Sequence, residues 1–249
     1  MTGIYRIAEK NIHITTLYQR VHLRCAAYQA DAAAADFCIE ITKSDIDRER
    51  SCTLEEQKAE KRQNGNPSNQ SLEELAVYRK IAERMPSFDT ILMHGSCVAV
   101  DGEGYLFTAK SGTGKSTHTR LWRELFGERA VMINDDKPLI RIAENGVTIF
   151  GTPWDGKHRL STNCAVPLKA ICVLERAEQN TIRRMHSSEA YPILLQQIYR
   201  PDDSTAMMKT LSLAGRLSQT VDLWKLGCNM EIEAAEVSYQ AMHTPNQPQ

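Results

Sequence analysis

The order of apolar and polar residues over positions 1–70 predicts a small strand-rich extension. Residues 4–17 are rich in β-branched and aromatic side chains, which favour strands. Residues 36–41 alternate between apolar and polar with a period of two, as a half-buried strand does. Residues 44–61 are charge-rich and predict a solvated helix or loop. The polar stretch QNGNPSNQ at 63–70 predicts a loop and a domain boundary.

Beyond this loop the pattern alternates between helices and strands. Ser71 and Glu74 form a predicted capping box at the start of a helix, and Pro86 follows its end. The short turn between predicted strands at 90–100 and 105–109 makes them antiparallel neighbours. Further helices are predicted at 115–126, 188–199, 203–219 and 231–242, and further strands at 130–134, 139–143, 147–150, 170–175, 181–185 and 221–226. We therefore expect an α/β fold in which a mixed sheet is flanked by helices, with an extension (1–70) packed on a core (71–249).

Composition and charge exclude several classes of protein. The chain has 249 residues, of which 42% are hydrophobic, and its 30 Lys and Arg nearly balance its 31 Asp and Glu. This balance argues against disorder and against nucleic acid or an anionic membrane as a partner. The seven cysteines are scattered and include no C-x-x-C pair, which favours reduced thiols. No apolar run is long enough to span a bilayer and no secretory signal begins the chain, so we expect a cytoplasmic protein of undetermined oligomeric state.

Residues 109–116 read AKSGTGKS, a P-loop pattern in which Ala109 replaces the usual first glycine. Glycines allow successive backbone N–H groups to surround phosphate oxygens, and the helix that follows adds its positive dipole end. In this pattern Lys115 contacts the β- and γ-phosphates, and the hydroxyl of Ser116 can bind Mg²⁺. The predicted nucleotide-binding residues are Ser111, Gly112, Thr113, Gly114, Lys115, Ser116 and Thr117.

Two neighbouring features narrow the chemistry. Asp135 and Asp136 end an apolar strand, where one carboxylate can bind Mg²⁺ while the other accepts a proton from an attacking hydroxyl. Adjacent side chains on a strand point to opposite faces, so both reach one site only if the chain bends there. His94 lies on the strand before the P-loop strand, and it is either a metal or phosphate ligand or a structural residue.

The order MHG, then SGTGKS, then DD across residues 92–137 resembles the catalytic domain of HPr kinase/phosphorylase. It is also similar to the nucleotide site of phosphoenolpyruvate carboxykinases. The resemblance implies a P-loop kinase core in which the P-loop strand has an antiparallel neighbour. It also implies that ATP is the phosphate donor, with Mg²⁺, or alternatively Mn²⁺, as the metal ion.

The resemblance also implies roles for individual residues. Lys115 would contact phosphates, Ser116 and Asp136 would bind the metal ion, and Asp135 would be the base toward the acceptor hydroxyl. His94 matches a metal-ligand histidine of the carboxykinases and a histidine near the HPr kinase active site. The two families do not assign the paired aspartates identically, so the roles of Asp135 and Asp136 are interchangeable at this stage.

The acceptor is less well defined. The chain is far shorter than a carboxykinase and lacks both its oxaloacetate-binding segments and a convincing HPr-docking signature. Residues 151–161, GTPWDGKHRLS, predict an irregular segment that lines a pocket, with Lys157 and Arg159 as candidates for binding the γ-phosphate or an anionic acceptor. Exposed loop charges are an equally good interpretation of both residues.

These observations predict a Mg²⁺-dependent ATP phosphotransferase with an alcohol acceptor. Asp135, Lys115, His94 and Arg159 are the candidate catalytic residues. The acceptor is either a serine or threonine hydroxyl of a peptide or protein or a small hydroxyl metabolite, and GTP is the alternative donor. Two other functions remain open, a nucleotide-dependent switch with weak ATPase activity and a carboxykinase-type enzyme.

Overall fold

The computed structural model of the chain describes residues 1–32, 34–59, 66–156 and 158–244. Its contacts divide the chain into two compact units, Met1–Arg84 and Met85–Gln249. In the described part of the chain, no helix is both long and apolar enough to cross a lipid bilayer.

The first unit contains a small sheet and helices. Its strands lie in the order β1-β2-β3, where β1 is antiparallel to β2 and β2 is parallel to β3. Apolar side chains of the strands and helices, such as Ile12, Ile39 and Leu72, are buried within the unit. Its elements are β1 (Thr2–Ile7), β2 (Lys10–Thr15), α1 (Arg20–Arg24), β3 (Phe37–Glu40), α2 (Lys43–Ala59) and α3 (Asn69–Arg84).

Helix α3 belongs to this unit, whereas the sequence pattern assigns its residues to the core. The buried Glu73 accepts hydrogen bonds from the backbone N–H groups of Leu17 and Tyr18, and Glu74 pairs with Arg20. These bonds connect residues more than fifty positions apart. A boundary placed at 70/71 from the composition of the loop takes no account of them. In the structure, the boundary between the two units falls between residues 84 and 85 of the chain.

The predicted capping box at Ser71 is wrong in detail. Helix α3 begins at Asn69, and the hydroxyl of Ser68 accepts a hydrogen bond from the Ser71 N–H. Ser68 therefore caps the helix three residues earlier than predicted. Glu74 does not return to the helix start, because its carboxylate is held by arginines of α1.

The second unit is built on a mixed sheet of nine strands, counted among the described residues. Seven lie in the order β4-β8-β9-β10-β6-β5-β7, and β12 pairs with both β10 and β11. The elements are β4 (Thr90–Leu92), β5 (Ser96–Val100), β6 (Glu103–Thr108), α4 (Lys115–Phe126), β7 (Ala130–Asn134), β8 (Leu139–Ala143), β9 (Gly146–Phe150), β10 (Ala165–Arg176), β11 (Thr181–Arg184), α5 (Ser187–Gln197), α6 (Ser204–Thr220), β12 (Asp222–Cys228) and α7 (Glu233–His243).

Two apolar clusters bury the two faces of this sheet. One contains Leu106, Ile133 and Ile171 from the strands together with residues of α5 and α6. The other contains Phe107 and Trp122 together with residues of α7. The second unit is therefore an α/β fold with helices on both sides of a mixed sheet, as the sequence predicts.

Strand β6, which leads into the P-loop, is antiparallel to β5 and parallel to β10. The predicted antiparallel neighbour is confirmed. The single strand predicted at 90–100 is wrong, because β4 and β5 are separated at Met93–Gly95 and pair with different strands. This interruption places His94 in an irregular segment between two strands.

Candidate active site

The P-loop joins the end of β6 to the start of α4. Gly112 and Gly114 have φ angles of 79° and 126°, which side-chain-bearing residues rarely adopt. Among the described residues, and apart from each glycine's two neighbours in the chain, no atom lies within 4 Å of the position that a Cβ would take at either glycine. Backbone conformation, and not lack of space, therefore requires glycine in this turn.

Lys115 is the first residue of α4 and is buried, with 8% of its surface exposed. Its ammonium donates a hydrogen bond of 3.0 Å to the backbone carbonyl of Ala109, at the other end of the loop. Burial lowers the pKa of Lys115, and the carboxylate of Asp136 opposes this shift. The loop therefore holds its lysine inside the turn, close to the helix N-terminus.

Arg176, at the end of β10, contacts the P-loop from outside the turn. Its guanidinium donates hydrogen bonds to the carbonyls of Gly112 and Thr113, at 2.5 and 3.3 Å. These bonds hold the two carbonyl groups toward Arg176. A loop that binds phosphate needs its carbonyls directed away from the anion, and the two bonds to Arg176 fit that requirement.

The chain bends after β7, as the adjacent aspartates require if both are to reach one site. The side-chain oxygen of Asn134 accepts hydrogen bonds from the backbone N–H groups of Asp136 and Lys137. Its amide nitrogen donates to the carbonyl and hydroxyl oxygens of Thr152. Asn134 is fully buried, and it therefore fixes both the bend and the start of segment 151–161.

Asp135 is a buried carboxylate, with 5% of its surface exposed. Its Oδ1 accepts a hydrogen bond of 2.5 Å from the Gly156 N–H. Burial raises the pKa of Asp135, and the charges of Asp155 and Asp136 add to this effect. Asp135 is therefore a stronger base than an exposed aspartate once it is ionised.

Asp136 has the opposite electrostatic environment. Its carboxylate lies 3.3 Å from His94 Nε2 and 2.5 Å from Lys137 Nζ. Burial acts to raise the pKa of Asp136, but the hydrogen bond from His94 and the Lys137 ammonium together lower it to about 2. The Gly95 N–H also donates to the Asp136 carbonyl, so the His94 segment and the acidic bend are joined at two points. Asp136 stays ionised at neutral pH, as a metal ligand must.

The P-loop and the acidic bend line one cleft of about 630 Å³, which we call the large cleft. It brings together most of the residues predicted from sequence. Its lining residues are His94, Ser111, Gly112, Gly114, Lys115, Ser116, Thr117, Thr119, Arg120, Arg123, Asp135, Asp136, Gly156, His158 and Leu160.

Two predicted residues are placed differently, and a third is not described. Thr113 lines a second cavity of about 510 Å³, the small cleft, which lies beside the P-loop and includes Arg176, Leu174, Cys228 and Met230. Arg159 is exposed and has a positive φ of 52°, and it is not among the residues that line the large cleft, although His158 and Leu160 are. Lys157 lies outside the described residues.

Sequence reasoning missed Arg120, Arg123 and Arg176. The first two belong to the same helix as Lys115, but their helical spacing from it, five and eight positions, is not that of one face, so the sequence carries no clear signal for them. No local pattern indicates Arg176, because its contact with the loop depends on the pairing of β10 beside β6.

The residues present fit a magnesium ion carried by a nucleotide. Among the described residues, no group of three or more His, Cys, Asp or Glu side chains is arranged to hold a metal by itself. Nucleotide-bound Mg²⁺ needs only one or two carboxylates, because phosphates and water complete its shell. Asp136, Asp135 and the Ser116 hydroxyl line the same cleft and could supply those ligands.

Comparison with protein families identifies the chain. The family model described as "SynChlorMet cassette protein ScmC" matches residues 52–214, which is more than half of the sequence. The chain belongs to the ScmC family. The region matched to ScmC includes the P-loop, the acidic bend and Arg176.

Other comparisons add little to the ScmC match. No curated protein is a match for the chain. Among solved structures, the chain is similar to the Hpr(Ser) kinase/phosphatase from Coxiella burnetii, with 15% sequence identity and a TM-score of 0.28. That similarity covers 51% of this chain and 97% of the Coxiella chain.

Proposed function

We propose that this protein is a Mg²⁺-dependent kinase that transfers the γ-phosphate of ATP to an alcohol. The observation that carries the proposal is the pairing of two unlike aspartates with a P-loop in one cleft. Asp135 is buried with a raised pKa, and Asp136 is held ionised by His94 and Lys137. One has the properties of a base and the other those of a metal ligand.

The roles follow from these environments. Lys115 and the N-terminal N–H groups of α4 would bind the phosphates, while Ser116 and Asp136 would hold the metal ion. When bound, Mg²⁺ would neutralise charge on the phosphates. Asp135 would accept the proton of the acceptor hydroxyl as its oxygen attacks the γ-phosphorus, and ADP would leave. Such catalysis depends on positioning and electrostatics and needs no covalent enzyme intermediate.

We also propose that the second unit is related to the nucleotide-binding cores of HPr kinase/phosphorylase and phosphoenolpyruvate carboxykinase. Support comes from the order of the MHG, SGTGKS and DD motifs and from the antiparallel β5 beside the P-loop strand β6. The contacts that join His94 and Gly95 to Asp136 provide a structural reason for the MHG and DD motifs to occur together.

The test is a transfer assay with ATP labelled on its γ-phosphate, Mg²⁺, and pooled hydroxyl metabolites and peptides. Asp135→Asn should bind nucleotide normally but transfer phosphate at least about 10²-fold more slowly, because the base is lost. Asp101→Asn is the matched control, since Asp101 is exposed in the turn between β5 and β6 and does not line the large cleft. Lys115→Ala serves as the blank.

Other outcomes would favour the alternatives. Normal turnover by Asp135→Asn would refute the proposed role of Asp135. Tight nucleotide binding with slow phosphate release and no labelled acceptor would favour a nucleotide-dependent switch. Consumption of oxaloacetate with ATP would instead indicate a carboxykinase-type enzyme.

A further inference from the structure

Helix α4 carries two arginines that line the same cleft as Lys115. Lys115, Thr119, Arg120 and Arg123 are all lining residues of the large cleft, so α4 forms part of the cleft wall beyond the P-loop. At 1.5 Å per residue, Arg120 and Arg123 lie about 7 and 12 Å along the helix from Lys115. At these distances the two arginines lie beyond the turn that surrounds the phosphates, where they can contact a group other than those phosphates.

The two arginines are weakly neutralised by the protein itself. Arg120 pairs with Glu124, but about half of each side chain is exposed, and such pairs are easily exchanged for a ligand. Arg123 is half-buried and forms no ion pair with any described residue. Its Nε is buried and has no hydrogen-bond partner in the described part of the chain. A guanidinium in this state favours an anion beside it.

The same cleft contains Asp135, the proposed base. An acceptor must place its hydroxyl between Asp135 and the γ-phosphate, so the remainder of the acceptor occupies the cleft beyond the P-loop. His158 and Leu160, from segment 151–161, also line this space. The remainder of the acceptor therefore occupies the cleft whose wall includes Arg120 and Arg123.

We infer that the acceptor carries a carboxylate or phosphate besides its hydroxyl, and that Arg123, together with Arg120, binds this anionic group. The inference rests on the proposed kinase function. In the transfer, the acceptor O–H bond breaks and its proton goes to Asp135. The acceptor oxygen forms a bond to the γ-phosphorus, the bond from that phosphorus to the bridging β–γ oxygen breaks, and ADP leaves with that electron pair. Arginine suits this role because its fork of N–H donors matches carboxylate and phosphate geometry.

A panel of matched hydroxyl compounds tests the inference through transfer. Each pair consists of an anionic compound and its neutral counterpart. The pairs are N-acetylserine and N-acetylserinamide, glycerol 3-phosphate and glycerol, and a serine peptide that has acidic neighbours and the amidated analogue of that peptide. Within the pairs that react, kcat/KM should be at least about tenfold higher for the anionic member. The reactive pair shows whether the anion belongs to a small molecule or to a peptide. Arg123→Gln should raise KM for anionic acceptors and remove the preference.

The control for the panel is Arg129→Gln. Arg129 is exposed, pairs with Asp101 and does not line the large cleft. This variant should keep both the preference and the wild-type KM. Equal use of neutral and anionic acceptors by the wild type would overturn the inference while leaving the kinase function intact.

A binding experiment tests the same site without a reactive acceptor. The protein is first saturated with Mg²⁺ and the non-hydrolysable analogue AMPPNP, so that the P-loop is filled, and sulfate is then titrated by calorimetry. Wild type and Arg129→Gln should bind sulfate, whereas Arg120→Gln/Arg123→Gln should bind it at least about tenfold more weakly. No sulfate binding by the wild type, or equal binding by the double variant, overturns the inference. Absence of heat with Mg-AMPPNP would refute the kinase function itself, and the inference with it.

Discussion

At the scale of single residues, the two adjacent aspartates differ because the bend at Asn134 places them in different surroundings. Asp135 is buried, and the backbone hydrogen bonds that it accepts, chiefly from the Gly156 N–H, oppose the rise of its pKa without cancelling it. Asp136, one position later, lies between His94 and Lys137. The sequence predicts that these residues share a site, but it leaves their roles interchangeable because the partners come from other segments of the chain.

The pKa of Asp135 predicts an acidic limit for the activity. A general base must be ionised, so kcat/KM should fall as the pH drops through the pKa of Asp135. Because burial raises that pKa, the fall should occur above the range of an ordinary aspartate, about pH 4. A pH–rate profile checks this, with circular dichroism to show that the protein remains folded. A flat profile down to about pH 4 would contradict the role of Asp135 as base.

The environment of Asp136 predicts a change in metal requirement. Asp136→Asn removes one of the ionised ligands proposed for Mg²⁺, so the Mg²⁺ concentration for half-maximal transfer should rise by about tenfold or more. Metal-free nucleotide binding should change little. Titration of activity with Mg²⁺ in this variant and in Asp135→Asn measures both roles. If Asp135→Asn shows the larger shift in metal requirement, the two roles are exchanged.

At the scale of elements, prediction works where local pattern decides the structure. Helix α4 and strand β7 have the predicted bounds, because one has an apolar stripe of helical period and the other is a short apolar run between turns. The interruption between β4 and β5 and the early start of β10 were not predicted. Each depends on pairing between segments distant in sequence, such as the bonds from Met93 to Pro138 and from Gly95 to Asp136.

The link between β10 and the P-loop predicts that Arg176 contributes to nucleotide affinity. Arg176→Ala removes two hydrogen bonds to loop carbonyls, and we expect nucleotide Kd to rise about five- to tenfold because the exposed bonds are each worth about 1 kcal/mol or less. Arg176→Lys, which retains one donor group, should fall between the wild type and Arg176→Ala. Arg183→Ala is the control, since Arg183 is exposed on β11 and pairs with Glu189. Equal Kd values for wild type and Arg176→Ala would show that the loop needs no support from β10.

Helices α4 and α7 are joined by a buried polar contact that predicts a pH-dependent stability. His118 contacts Ser238, which also accepts a hydrogen bond from the Trp122 indole. Burial lowers the pKa of His118 to about 4, so the unfolded chain binds more protons than the folded protein between about pH 4 and pH 6.5. The free energy of unfolding should therefore fall as the pH falls through this window, by an amount on the order of 3 kcal/mol.

Denaturant unfolding of wild type and His118→Gln at both ends of this window measures the effect. The glutamine cannot be protonated, so the variant should lose most of the pH dependence that His118 causes. Its stability near neutral pH is expected to be lower, because the buried contact with Ser238 is altered. The same pH dependence in both proteins would assign the effect to other histidines.

At the scale of the whole molecule, the candidate site is contained in the second unit. Every strand of the large sheet and every residue that lines either cleft lies within Met85–Gln249. A chain consisting of residues 85–249 should therefore fold and bind nucleotide with a Kd within about threefold of the full chain. Calorimetric titration of both proteins with Mg-AMPPNP checks this. Loss of folding or of nucleotide binding in the shorter chain would show that the first unit is needed.

Strand β10 connects several parts of this unit. Its first residues, Ala165–Pro167, pair with β9, its middle pairs with β6, and its last residues, through Arg176, pair with β12. One residue inserted late in this strand would turn Arg176 to the opposite face of the sheet, away from the loop carbonyls. A deletion of one residue would do the same. We therefore expect ScmC-family chains to differ in length within their turns, while the number of residues between the β6 pairing and the arginine stays constant.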